Sequence, residues 1–249
     1  MENALLIGLS RQVALAREAD VIANNVANVT TNGFKARNQR FEEYLAPTAK
    51  ADAFPRGASQ RLSYVMDKGA GLDVTQGAIE LTGNPLDVAI RGEGFFAVQT
   101  RAGERYTRDG SFNLNASGEL VTSSGAKVVG ESGAISFSPQ DGRIEIGADG
   151  TISTAQGVRG RIKLVKFANP QNLVNEGDNL FSSPSAGQPL GKDGRVESGA
   201  LERSNVKPVL EMSRLVEVSR AYQNVSSMLQ RMDELRRSAI QRLAETPTT

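Results

Sequence analysis

The stretch PVLEMSRLVEVSRAYQNVSSMLQRMDELRRSAIQRLA, Pro208 to Ala244, carries the strongest periodic signal in the chain. Leu215, Val218, Tyr222, Val225, Leu229, Met232, Arg236, Ala239 and Leu243 recur at alternating steps of 3 and 4, and only Arg236 breaks the apolar set. Such spacing lays one stripe along one face of a helix, in the manner of a coiled-coil seam. Pro208 is tolerated in the first turn, where its missing N–H has no helical partner to lose, and Ser204 or Asn205 can cap the turn. The pattern predicts a helix from about Pro208 to about Ala244. Its stripe is longer than contact with one β domain would cover, so it needs other helices: one from the N-terminus, or the same helices of other subunits.

The N-terminal partner is legible. Residues 4 to 29 repeat Leu5, Leu9, Gln12, Ala16, Ala19, Ala23 and Val26 at helical spacing, with Leu15, Ile22 and Val29 widening the stripe. The face is rich in alanine, and small side chains let helices approach closely. It then runs into DVIANNVANVTTNGFKARNQRF, Asp20 to Phe41. Asn24, Asn25 and Asn28 weaken a helix unless their amides find partners, because asparagine competes with the backbone for hydrogen bonds. Asn32-Gly33 can supply the left-handed conformation that ends a helix, and Phe34 offers an apolar contact back onto it. The residues alone read as a frayed helix C-terminus followed by a loop.

Between the two helical ends the character changes twice. From Ala46 to Gly77, Pro47, Pro55, Gly57, Gly69 and Gly71 interrupt short apolar runs, and the stretch reads as a linker or extended arm lying against something else. From 78 to about 185 the runs are short and alternating, as in LDVAI, FFAV, RIEI and IKLVKF, and glycine-containing turns separate them. Two pieces echo each other as hairpins, FNLNASGELVT (Phe112 to Thr122) and IEIGADGTIST (Ile144 to Thr154). The expected fold is α+β: terminal helices (1–45 and 201–249) paired as a coiled-coil-like domain, an arm at 46–77, and an all-β domain at 78–200 inserted between them.

Composition removes most enzyme chemistry. The 249 residues contain no histidine, cysteine or tryptophan, which excludes Ser-His-Asp and Cys-His nucleophiles, zinc sites built on those ligands, and thiol redox chemistry. With 29 basic and 28 acidic residues, no global field recruits nucleic acid or an anionic membrane. RGEGFFAV imitates a dinucleotide-binding loop, but its glycines precede a strand-like run instead of opening a helix, so it reads as a hairpin turn. NLNASG starts like a calcium loop, yet Ser124 stands where a bidentate glutamate is needed. Glu42-Glu43 reads as exposed helix charge. No catalytic group, cofactor, metal, nucleic acid or small-molecule substrate is expected. Met1-Glu2-Asn3 lacks the positive charge of a signal peptide, and Leu5 to Leu9 is too short to span a membrane.

Three segments together resemble the axial proteins of the bacterial flagellum, the rod and hook family. The N-terminal one runs from Ala23-Asn24-Asn25-Val26-Ala27-Asn28 to Gly33-Phe34-Lys35. The central one is Gly83 to Gly130, beginning GNPLDVAIRGEGFFAV. The C-terminal one is LERSNVKPVLEMSRLVEVSRAYQ, Leu201 to Gln223. Gly83-Asn84-Pro85-Leu86-Asp87-Val88 and the Val128-Val129-Gly130 close are most similar to a proximal-rod member, with a distal-rod subunit as the alternative. A soluble β-domain binding module is the reading from another class. The resemblance implies a non-enzymatic subunit, exported unfolded by the flagellar type III apparatus, which joins its own copies and other rod proteins in a periplasm-spanning tube. It also implies that the terminal helices pack around a central channel, with Asn24, Asn25 and Asn28 bonded across subunits. The expected assembly contacts are Leu5, Leu9, Ala16, Ala19, Ala23, Asn24, Asn25, Val26, Asn28 and Phe34 on the N-terminal side. On the C-terminal side they are Met212, Leu215, Val218, Tyr222, Val225, Leu229 and Met232.

Overall fold

A computed structural model describes residues 2–46, 62–191 and 194–244. The chain divides into two compact units. One comprises Met1–Val26, Arg37–Gly71 and Pro208–Thr249, the other Ala27–Ala36 and Leu72–Lys207. The sequence-derived division differs from this at its joints. Residues 27–36 and 201–207 fall with the β unit, and the second half of the expected arm contains a strand, Leu62–Leu72, paired with Arg37–Ala46. Glu42-Glu43 therefore lies in a strand, not a helix. Residues 47–61 of the arm lie outside the described residues.

The helical unit contains α1, Glu2–Ala27, and α2, Pro208–Ala244. Along α2 the buried side is the expected one: Glu211, Val218 and Val225 are buried, and Leu215, Leu229 and Met232 are half-buried. Tyr222 departs from it. It is exposed, and Ala221 takes the inward place. Along α1 the inward line runs through Gly8, Leu15, Ile22 and Asn25, whereas Leu9, Ala16 and Ala23 face outward. The stripe is turned about one residue from the predicted one. Covering Ile22 fully and Leu15 in part removes more apolar area from water than covering alanines alone, which favours this rotation. Gly8 allows the close approach: a Cβ there would come within 2.6 Å of Leu229 Cδ2. Asn25 meets Glu211 by a hydrogen bond of 3.1 Å. The two contacts occur in opposite order along α1 and α2, so the helices run antiparallel.

The β unit is built around one antiparallel sheet of ten strands. Its path runs Val174–Gly177, Leu180–Ser182, Gly103–Thr107, Phe95–Thr100, Lys127–Gly130, Leu120–Thr122 and Phe112–Leu114. Leu164–Lys166 adds to Phe95–Thr100 from the other side, with Leu164 opposite Phe96. Val88, Ile90, Phe96, Val98, Phe112, Leu120, Val128, Ile152 and Ile162 form the larger core, and Phe95, Tyr106, Val165 and Phe181 a smaller one on the opposite face of the same strands. Adjacent Phe95 and Phe96 feed different cores because successive strand residues point to opposite faces.

Both echoed hairpins are present. Phe112 faces Thr122 and Leu114 faces Leu120 in the first, and Ile146 faces Ile152 in the second. In the first, Asn115 Oδ1 accepts the backbone N–H groups of Ser117 and Glu119, and Gly118 takes φ +75°, so the calcium-like string is a turn held by its own asparagine. The glycine loop at 92–94 is a different case. The strands on either side, Val88–Arg91 and Phe95–Thr100, do not pair with each other; the first pairs with Arg195–Ser198. The loop is a crossover between sheets and not the hairpin turn that spacing suggests, because the partner of Val88–Arg91 lies a hundred residues downstream, beyond the reach of local pattern.

Candidate functional site

Two polar constructions and two apolar stripes stand out. The first construction is a buried clasp in the β unit. Lys35, Arg108 and Glu202 have side chains almost wholly removed from solvent. Lys35 Nζ donates to Glu202 Oε1 and to the Thr75 carbonyl, both at 2.6 Å. Arg108 Nη1 donates to Glu202 Oε2 at 3.0 Å, and Nη2 to the Gly92 carbonyl at 2.6 Å, while the guanidinium lies over the Phe95 ring. The backbone N–H of Gly77 also donates to Glu202 Oε1. Burial pushes the Lys35 ammonium and the Arg108 guanidinium down from their ordinary values, and the Glu202 carboxylate opposes that shift in both. One carboxylate thus pairs with two cations, through one oxygen each, in a medium where an unpaired ion would be very costly.

Asn205 closes the clasp with an amide. Its Oδ1 accepts the Ala36 N–H at 2.7 Å, and its Nδ2 donates to the carbonyls of Asp73 and Thr75. The residue expected to cap α2 instead satisfies backbone groups of two other segments. Phe34 packs with Ala36 and Val206, and the Gly33 N–H donates to the Glu202 carbonyl at 2.7 Å. Gly33 has φ +64°, and a Cβ there would overlap the backbone of Arg108 and Asp109. Only glycine fits this turn.

The second construction belongs to the helical unit. Asn25, 1% exposed, donates to the Arg37 carbonyl at 2.9 Å and accepts the Arg37 N–H at 2.9 Å, so its amide imitates a neighbouring strand. Its second N–H goes to Glu211 Oε2. The helix-weakening asparagine finds partners for its amide within the chain. We expect Asn25→Leu to destabilise the helical unit by about 1–3 kcal/mol, because Arg37 and Glu211 lose their partners while still buried. A urea midpoint unchanged from wild type would refute that role.

The remaining expected contacts divide by exposure. Phe34 and Asn25 are already covered by this chain's own residues. Leu215, Val218, Val225, Leu229 and Met232 lie on the inward side of α2, and Ala19, Val26 and Asn28 are half-buried. Leu9, Ala16, Ala23, Asn24, Met212 and Tyr222 are exposed, and Leu5 lies outside the described side chains. Exposed neighbours extend this set. On α1, Leu6, Leu9, Val13, Ala16, Asp20, Ala23 and Ala27 step by 3 and 4 along the outward face, with Leu6 and Leu9 each 53% exposed. On α2, Val209, Met212, Val216, Met228, Leu235 and Ile240 are exposed. The exposed apolar residues of α2 fall on more than one side of that helix, and with Leu6, Leu9 and Val13 of α1 they mark surfaces for association. Lys35, Glu202 and Arg108 carried no role of their own in the sequence reading. The available hint was a lone charge inside an apolar run, as in Phe34-Lys35-Ala36 and Ala200-Leu201-Glu202.

The β unit is closed by a buried ionic clasp, and the terminal helices leave apolar side chains exposed, as in a protein that associates through its helices. Family models match in three places: the flagellar hook protein FlgE/F/G D1 domain over residues 89–154, the flagellar basal body rod FlgEFG protein C-terminal segment over 197–242, and the flagella basal body rod protein segment over 5–35. The chain is 42% identical over 248 residues to the flagellar basal-body rod protein FlgF of Caulobacter vibrioides, covering 98% of this chain and 99% of that one. It is 36% identical to FlgF of Mesorhizobium japonicum, over 92% of each chain. It is 33% identical to the rod protein FlgG of Bacillus subtilis, over 94% of this chain and 97% of that one. The chain belongs to the flagellar basal-body rod protein family and is a structural subunit of the rod. Similarity over the whole length decides against a stand-alone ligand-binding β module.

Proposed function

We propose that the chain is a proximal-rod subunit that joins copies of itself and other rod proteins through the outward stripes of α1 and α2. The 42% identity to a FlgF protein along nearly the whole chain supports the proximal assignment, against 32–35% for FlgG relatives. A distal-rod place is the alternative. The inward sides of α1 and α2 form a coiled-coil-like seam within the subunit, and the outward sides meet neighbours around a central channel. Each exposed leucine fully buried on assembly contributes about 1.5–3 kcal/mol, so a few per subunit suffice for a stable polymer. The subunit is non-enzymatic, binds no cofactor, and reaches the basal body through the flagellar type III route. No described helix is long and apolar enough to cross a membrane.

The natural chain has no cysteine, so introduced thiols give an unambiguous test. We expect Leu9→Cys combined with Val216→Cys to yield intersubunit disulfides in isolated basal bodies, and Leu114→Cys, on the β unit, to yield none with itself. Deleting the gene should leave basal bodies without a complete rod. A complete rod and hook in the deletion strain, or absence of helix crosslinks in intact rods, would reject the proposal.

A further inference from the structure

The chain has one Asn-Gly dipeptide, Asn32-Gly33, and it sits inside the clasp. Asparagine followed by glycine is the pair most prone to spontaneous deamidation, because glycine has no side chain to hinder attack by its own amide nitrogen. The fold leaves no other choice at 33: the left-handed φ and the contact with the Arg108–Asp109 backbone both demand glycine. Asn32 is held as firmly. Its Oδ1 accepts Arg203 Nη1 at 2.9 Å, and its carbonyl accepts Asn179 Nδ2 at 2.7 Å. The nucleophile itself is occupied, since the Gly33 N–H donates to the Glu202 carbonyl at 2.7 Å.

We infer that Asn32 is a latent modification site, inert while the clasp is closed and self-modifying when it is open. In the open chain the Gly33 nitrogen attacks Asn32 Cγ; the N–Cγ bond forms, the Cγ–Nδ2 bond breaks, and ammonia leaves with the amide proton. Water then opens the succinimide at either carbonyl, leaving aspartate or isoaspartate in place of Asn32, with no change of oxidation state. The two products differ in consequence. Aspartate keeps an oxygen for Arg203, whereas isoaspartate lengthens the main chain by a methylene and moves the Gly33 N–H off the Glu202 carbonyl. Unclasped chains that take the isoaspartate branch thereby lose the ability to close.

The test incubates the full chain at pH 8 in buffer and in urea, and follows the mass of the peptide containing Asn32, with isoaspartate read by isoaspartyl methyltransferase labelling. The native rate is expected to be about tenfold or more below the urea rate, because reaction requires local opening. Arg203→Gln, which leaves Glu202 and Lys35 in place, should raise the native rate and leave the urea rate unchanged. Chains aged in urea and returned to buffer should separate by protease resistance. The isoaspartate fraction should stay sensitive near Lys35, while the aspartate fraction, like the Asn32→Asp variant, should regain wild-type resistance. Equal rates in buffer and urea, an Arg203→Gln rate unchanged in buffer, or full resistance of the isoaspartate fraction would each overturn the inference.

Discussion

Glu202→Ala is expected to destabilise the β unit by about 3–5 kcal/mol, the usual cost of leaving buried charge without its partner. The substitution strands two cations at once, since Lys35 and Arg108 both bond Glu202 and both are nearly free of solvent. The Gly77 N–H loses its acceptor as well. The measurement is urea unfolding of the full chain, where the midpoint of the β transition should fall with little change in slope. Lys35→Met combined with Glu202→Ala should recover part of the loss, because one buried cation is then gone; with the Lys35→Met single variant, the non-additivity of the pair measures the coupling. A Glu202→Ala midpoint equal to wild type would mean the triad contributes nothing.

Leu229→Asp is expected to abolish rod formation and motility while leaving the β unit folded. Leu229 packs against the Gly8 position of α1, where no side chain stands between the helices. A carboxylate there must be desolvated against a helix backbone with no cation provided, at a cost of several kcal/mol. The larger β core, with Val88, Phe96 and Val98, contains no residue of either helix and should keep its near-ultraviolet signature. Basal bodies with normal rods in this variant would count against the seam.

The elements set by local repetition were legible. The bounds of α2, both echoed hairpins and the inward line of Val218 and Val225 follow from spacing alone, since each depends on residues a few positions apart. The rotation of α1 was less so, because besides Leu15 and Ile22 it involves Gly8, whose value lies in the Leu229 side chain opposite it. The clasp was hidden for the same reason. Lys35 and Glu202 are 167 positions apart, and nothing in the wording around either names the other. Asn25 raised the correct question, where its amide would be satisfied, but its partners are the backbone of Arg37 and a carboxylate 186 positions away.

The clasp also determines where the β unit begins and ends. Arg203 N–H bonds the Ala78 carbonyl, strand Ala200–Glu202 pairs with Ile79–Leu81, and Gly77 touches the Arg203 carbonyl so closely that no side chain fits. Everything from 78 to 202 therefore leaves the main path of the chain and returns to it at one point. Segments that start and finish together can be lengthened, shortened or exchanged without moving what flanks them. Related chains of different length can therefore share one pair of ends, with insertions carried between Ala78 and Glu202, provided Arg108 stays to complete the clasp.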